Sequence, residues 1–214
     1  CQMTQANVPF SRAEYDRRIA KTRAAMSEAG LDAVFVTDPS NQAWLTGYDG
    51  WSFYVHQGVL LTMEGEPIWW GRYMDMMGGR RTCWMAHENI VGYSDHYVQS
   101  TEIHPMQNLA EHLKSRGLEQ ARIGVEMENY YYSAKAHAVL STEMPNATLI
   151  DATALVNWQR LVKSEDEITF IRKAARISEK VVTTAIDRAA VGVRKNDLVA
   201  DIMHAGITGV EDDW

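Results

Sequence analysis

Apolar and polar positions alternate along the chain in blocks of two periods. Ser11-Arg12-Ala13-Glu14 has the form of a helix-capping box, and the spacing after it puts Tyr15, Ile19 and Met26 on one helical face. Gly30 is the expected stop. The uninterrupted apolar run Ala33-Val34-Phe35-Val36 predicts a buried strand, which Asp38-Pro39-Ser40-Asn41 breaks. A short helix is expected from near Ser40 to Gly47. Gly58 to Met63 and Ile68 to Trp70, across Glu64-Gly65-Glu66-Pro67, predict a hairpin. Tyr73 to Met77 reads as helical, ended by Gly78-Gly79. Ile90 to Tyr93 reads as a short strand. A helix from Pro105 to Arg116 has Met106, Leu109 and Leu113 on one face and Gly117 as its stop. Arg122 to Glu126 predicts another buried strand, Ser133 to Met144 a helix ended by Pro145-Asn146, and Thr148 to Asp151 a last strand.

Strands alternating with helices predict an α/β fold, and the hairpin makes the sheet mixed rather than purely parallel. After Asp151 the pattern is helical only. Ser164-Glu165-Asp166-Glu167 is a second capping box. It opens a long amphipathic helix whose expected buried positions are Ile168, Ile171, Ala175, Ile177, Val182 and Ile186, with Gly192 at its end and one more helix from Leu198 to Ala205. Such a stripe needs a partner layer, and no further strand pattern follows it here.

Composition narrows the class. Of the 214 residues, 46% are hydrophobic and 23% charged, which describes a globular domain with a core of useful size. A net charge of −7 argues against a nucleic-acid surface. The two cysteines, Cys1 and Cys83, suit a reducing cytoplasm, with Cys83 expected as a small core residue. No apolar run has the length of a membrane span, so no membrane partner is expected. Cys1 and Gln2 precede Met3, the expected natural start, and are set aside.

The densest chemistry lies between Asp32 and Gln57. Trp44, Tyr48, Trp51, Phe53 and Tyr54 follow the first strand, with Gly47 and Gly50 among them. Aromatics on such a segment wall a pocket, fill an interface or sit in the core. Elsewhere the signals are bland. His87, His96, His104 and His112 are scattered without a shared face, and Glu211-Asp212-Asp213 reads as a solvated terminal run, so no metal ligand set is expected. There is no Gly-x-Ser-x-Gly elbow and no phosphate-binding Gly-Lys loop. Gly78-Gly79-Arg80-Arg81 reads as a surface turn, or as an anion-binding nest.

Two blocks carry a family resemblance. Asp38-Pro39-Ser40-Asn41 with Trp44-Leu45-Thr46-Gly47-Tyr48, and Arg160-Leu161-Val162-Lys163-Ser164-Glu165-Asp166-Glu167-Ile168 followed by Ile171-Arg172-Lys173-Ala174-Ala175, resemble the creatinase and Xaa-Pro peptidase (pita-bread) superfamily. The run from Gly47 to Gln57, with Trp69-Trp70-Gly71-Arg72-Tyr73-Met74-Asp75, is similar to its creatinase-like branch and, within that, to the hydrolases that open ectoine. The resemblance implies a creatinase-like N-terminal domain over 3–155 and, over 156–214, a linker and the opening helices of an incomplete pita-bread domain. It implies a parent hydrolase acting on non-peptide C–N bonds, opening the cyclic amidine of a small zwitterion such as ectoine to N-acetyl-diaminobutyrate. It places no catalytic residue in this chain, and it leaves metal dependence open: a divalent ion if peptidase-like, none if creatinase-like. It implies a homodimer in which this domain reaches over the partner's active site. Trp51, Phe53, Tyr54, His56 and Arg72 are then the candidate substrate-site residues, with Trp51 or Tyr54 facing an amidinium and Arg72 a carboxylate. Dimer packing competes for Trp51 and Phe53, and a surface salt bridge for Arg72. The alternatives are an Xaa-Pro dipeptidase-like metallopeptidase and a stand-alone, non-catalytic dimerisation module.

Overall fold

The computed structural model describes residues 8–210; Cys1 and the Glu211-Asp212-Asp213 run lie outside them. The chain divides into two compact units, one ending at Leu161 and the other starting at Val162.

The first unit opens with α1 (Arg12–Glu28). The Ser11 hydroxyl caps it by accepting the Glu14 N–H, while the Glu14 carboxylate takes the guanidinium groups of Arg17 and Arg18. At its other end Gly30 sits at φ +63°, and the N–H groups of Gly30 and Leu31 return to the carbonyls of Ser27 and Met26. This is the left-handed exit expected of glycine. β1 (Ala33–Val36) follows, then α2 (Pro39–Thr46), capped by Asp38 and stopped by Gly47 at φ +79°. β2 (Gly58–Thr62) and β3 (Ile68–Arg72) form the hairpin, with Gly65 in the left-handed region at its turn.

α3 (Tyr73–Thr82) corrects one expectation. Gly78-Gly79 does not end this helix, and Gly78-Gly79-Arg80-Arg81 is neither a surface turn nor an anion nest. A side chain at Gly79 would meet the Ile90 side chain at 3.1 Å, so the glycine lets the helix lie close on the sheet. β4 (Ile90–Tyr93), α4 (Pro105–Lys114), β5 (Arg122–Val125), α5 (Ala134–Glu143), β6 (Thr148–Asp151) and α6 (Leu155–Gln159) complete the unit.

The six strands run in the order β4-β3-β2-β1-β5-β6. β2 pairs antiparallel with both neighbours and the other pairings are parallel, giving the mixed sheet expected. Side-chain alternation splits the core into two layers. Val34, Val36, Val59, Leu61 and Trp69 pack on one face with residues of α1, α2 and α3. Phe35, Leu60, Trp70, Ile123 and Val125 pack on the other with residues of α4 and α5. Cys83 lies in the first layer, where burial pushes its thiol up to about 12.

At the carboxyl ends of β1 and β5 a buried polar knot joins the two superfamily blocks. The Glu126 carboxylate accepts the backbone N–H groups of Thr37 and Asp38 at 2.6 and 2.7 Å and the Asn41 amide at 2.7 Å. Asn41 also donates to Asn157 at 2.7 Å and accepts from Arg160 at 2.6 Å. Burial raises the Glu126 pKa above the ordinary carboxylate value, and these donors oppose the rise. Asp38, Asn41 and Arg160 therefore have a structural role here: they tie α2 and the end of α6 to the sheet.

The second unit is a helical pair, α7 (Glu165–Arg188) and α8 (Lys195–Thr208). The Ser164 capping box forms as expected, with the Ser164 hydroxyl and the Glu167 carboxylate bonding reciprocally. Arg188 pairs with Asp201 at 2.7 Å across the two helices. The helix ends at Arg188, short of the Gly192 expected to stop it. Ile171, Ala175, Val182 and Ile186 are exposed, and Ile168 and Ile177 are half-buried. The stripe for which the sequence offers no partner layer is thus largely open to solvent.

Candidate functional site

The segment from Tyr48 to Gln57 is clipped at both ends and open in the middle. Tyr48 is buried against Trp69, with ring centroids 4.8 Å apart, and its hydroxyl lies 3.1 Å from the side-chain oxygen of buried Gln57. Gly50 lies so close over Tyr48 that a side chain there would meet its hydroxyl at 2.7 Å and its ring at 2.8 Å. Between these anchors the chain turns through Ser52, whose hydroxyl accepts the Val55 N–H, and Val55 points inward. Trp51, Phe53 and Tyr54 are left outside, 61%, 78% and 49% exposed. They are not isolated. By ring centroids Phe53 lies 5.3 Å from Tyr54 and 6.1 Å from Trp51, and Trp51 lies 6.4 Å from Tyr131 in an edge-to-face arrangement. The result is a continuous exposed aromatic rim, an uncommon cost for a surface unless something covers it.

Arg72, the last residue of β3, closes one side of the rim. Its Nε and Nη2 groups hold Asp95 at 2.7 and 3.2 Å, and Nη1 donates to the Tyr54 hydroxyl at 3.3 Å. The Asp95 hydrogen bond raises the Arg72 pKa, and the same bond holds Asp95 below the usual carboxylate range. Nearby, burial raises the Asp75 carboxyl. One edge of the Arg72 fork is therefore taken, which is the salt bridge weighed against carboxylate binding. The edge carrying Nη1 faces the aromatic rim.

His56 departs from its neighbours. Its ring turns inward and packs on His104, with centroids 4.9 Å apart. Burial lowers its pKa, against a hydrogen bond to the Tyr131 backbone. Its carbonyl accepts the Tyr93 hydroxyl at 2.7 Å. Tyr54 and His56 line a hollow of about 130 Å³ with Tyr97 and His104. The five candidate residues thus separate into an outer set, Trp51, Phe53, Tyr54 and Arg72, and an inner one, His56, joined through Tyr54. Among the described residues no three His, Cys, Asp or Glu side chains gather in a metal-ligating arrangement.

A family model, the creatinase/prolidase N-terminal domain, matches residues 18–162. This chain belongs to that family. Ectoine hydrolase of Halomonas elongata is 49% identical over 208 residues, which cover 97% of this chain and 52% of that protein. An uncharacterised hydrolase/peptidase of Sinorhizobium fredii, y4tM, is 40% identical over 94% of this chain and 52% of its own length. Among solved structures, dipeptidase PepE from Mycobacterium ulcerans superposes with a TM-score of 0.70 at 22% identity, over 93% of this chain and 50% of that one. The X-Pro aminopeptidase of Thermotoga maritima gives 0.69 at 16% identity, over 89% and 49%. At those identities the structures speak for the fold alone. The chain spans about half the length of the curated relatives it matches.

Within this creatinase/prolidase N-terminal domain, three residues escaped the sequence reading. Asp95 and His104 are far in sequence from Arg72 and His56, and no spacing rule links them. Tyr131 did carry a signal, as the middle of Tyr130-Tyr131-Tyr132 just after a buried strand. Chemically, the rim of this creatinase-family domain offers aromatic faces to a delocalised cation and one guanidinium edge to an anion.

Proposed function

We propose that this chain is the N-terminal part of a hydrolase that opens the cyclic amidine of ectoine, and that it supplies the substrate-site rim and a dimer contact while the catalytic groups lie elsewhere in the protein. The observation that carries this reading is the 49% identity to ectoine hydrolase across 97% of the chain, found together with the exposed rim. Ectoine combines a delocalised amidinium with a carboxylate. The amidinium packs on Trp51 or Tyr54, a contact of roughly 0.5–2 kcal/mol that grows as water is excluded. The carboxylate takes the Nη1 edge of Arg72, displacing or sharing the Tyr54 hydroxyl. Phe53 excludes water around both. The same exposed aromatics suit a second copy of the protein, so one surface serves the two roles. No step of bond cleavage is assigned to these residues.

The test uses the full-length protein and ectoine, with ring opening followed by NMR. Turnover by the whole protein, none by the 214-residue chain, and a raised KM on Arg72→Ala are expected. A full-length protein that leaves ectoine intact overturns the substrate. Turnover by the isolated chain overturns the placement of the catalytic groups.

A further inference from the structure

A larger groove opens beside His104. The loop from Ser100 to His104 and helices α4 and α5 enclose about 360 Å³, within the range of small-molecule sites. It shares Ser100, Ile103 and His104 with the smaller hollow that reaches Tyr54 and His56. Its lining carries charges of both signs, Lys135 and Glu143 on α5 and Glu102 on the loop. Lys135, Val139 and Thr142 lie on one face of α5 at spacings of four and seven residues. Glu143 follows Lys135 by eight residues, about 12 Å along the axis.

His104 is a fixed donor. Its Nδ1 accepts the Met106 N–H at 3.2 Å, which places the ring proton on Nε2. Burial, then His56 and Lys135, bring its pKa down to about 4, so near neutral pH it is an uncharged donor beside an ammonium. Gln107 steadies Glu143. Its amide donates to the Glu143 carboxylate at 3.3 Å, while its oxygen accepts the His104 N–H at 2.8 Å. Lys135 with the His104 donor, Val139 one turn along α5, and Glu143 steadied by Gln107 match a ligand with opposite charges several bonds apart.

We propose that this groove binds an ω-amino carboxylate, its carboxylate on Lys135 and the His104 Nε2–H, its methylene stem over Val139, and its ammonium on Glu143. The inference is independent of the rim and of the reaction proposed for it.

The probe is 6-aminohexanoate, titrated into the 15N-labelled 214-residue chain, with hexanoate and hexylammonium as single-charge controls. Saturable shifts of the His104 imidazole and of the Thr142 amide are expected, with each control weaker by about tenfold. Lys135→Met and Glu143→Gln, both on the helix surface, should each raise Kd by about the same factor with dispersed spectra retained. His104→Asn keeps a capping side chain but, being shorter, withdraws the donor from the groove, and should weaken the probe and hexanoate alike while sparing hexylammonium. Equal affinity for all three probes, no saturation by about 10 mM, or indifference to Lys135→Met overturns the proposal.

Discussion

Two halves of one stretch, Asp38 to Tyr48 and Asp49 to His56, are built from similar residues and end in opposite states. In the first, Asn41, Gln42, Trp44 and Tyr48 are buried, and Asp38 and Asn41 form part of the Glu126 knot. In the second, Trp51, Phe53 and Tyr54 face solvent, on a loop anchored at Tyr48 and Gln57 and pinned inward by Val55 and His56. The first half follows the ends of parallel strands, where backbone N–H groups must be satisfied and Glu126 satisfies them. The second has no such demand, and its aromatics are free to serve a ligand or a partner. The more recognisable motif, Asp38-Pro39-Ser40-Asn41, is thus the structural one. The less regular sequence beside it carries the functional candidates.

The comparison breaks most visibly at Glu126. Glu126→Ala orphans two backbone donors and the Asn41 amide in a buried site, and should cost about 3–5 kcal/mol in urea unfolding. A loss near zero would show that water replaces the carboxylate. Trp44→Ala should cost a similar amount by leaving a cavity, about 3–5 kcal/mol, whereas Trp51→Ala should stay within about 0.5 kcal/mol of the parent.

Much of the local structure was legible because neighbouring residues dictate it. Ser11, Asp38, Ser133 and Ser164 cap the helices they precede, and Gly30 and Gly47 take the left-handed exits. Reading failed where a distant element decides. Gly79 looked like a stop because nothing near it in sequence announces Ile90. The rim was legible as a run of aromatics, but a loop has no period to tell Trp51 from Tyr48. The partners of Arg72 and His56, namely Asp95 and His104, came only with the fold.

A smaller effect sharpens the inner edge of the rim. Burial lowers the pKa of both His56 and His104, the latter to about 4. A depressed imidazole contributes stability that is full above its ordinary value, about 6.5, and is lost as pH falls toward the folded value. Glu126, whose pKa is raised, works in the opposite sense and favours the folded state as it protonates. Thermal unfolding between pH 7 and 4 should therefore show a loss that shrinks in His104→Asn. An identical pH profile in that variant would remove the histidine pair from the account. Asp95→Asn loosens the hold on the Arg72 fork. On an exposed pair it should leave stability nearly unchanged, yet alter KM for ectoine in the full-length protein.

The division itself is tested most directly at Trp51. Trp51→Ala in the full-length protein should be followed by thermal unfolding beside steady-state kinetics on ectoine. The account predicts an unchanged melting temperature with impaired turnover, through loss of the aromatic face and of water exclusion. Normal kinetics, or a fall in stability comparable to that of Trp44→Ala, would contradict it.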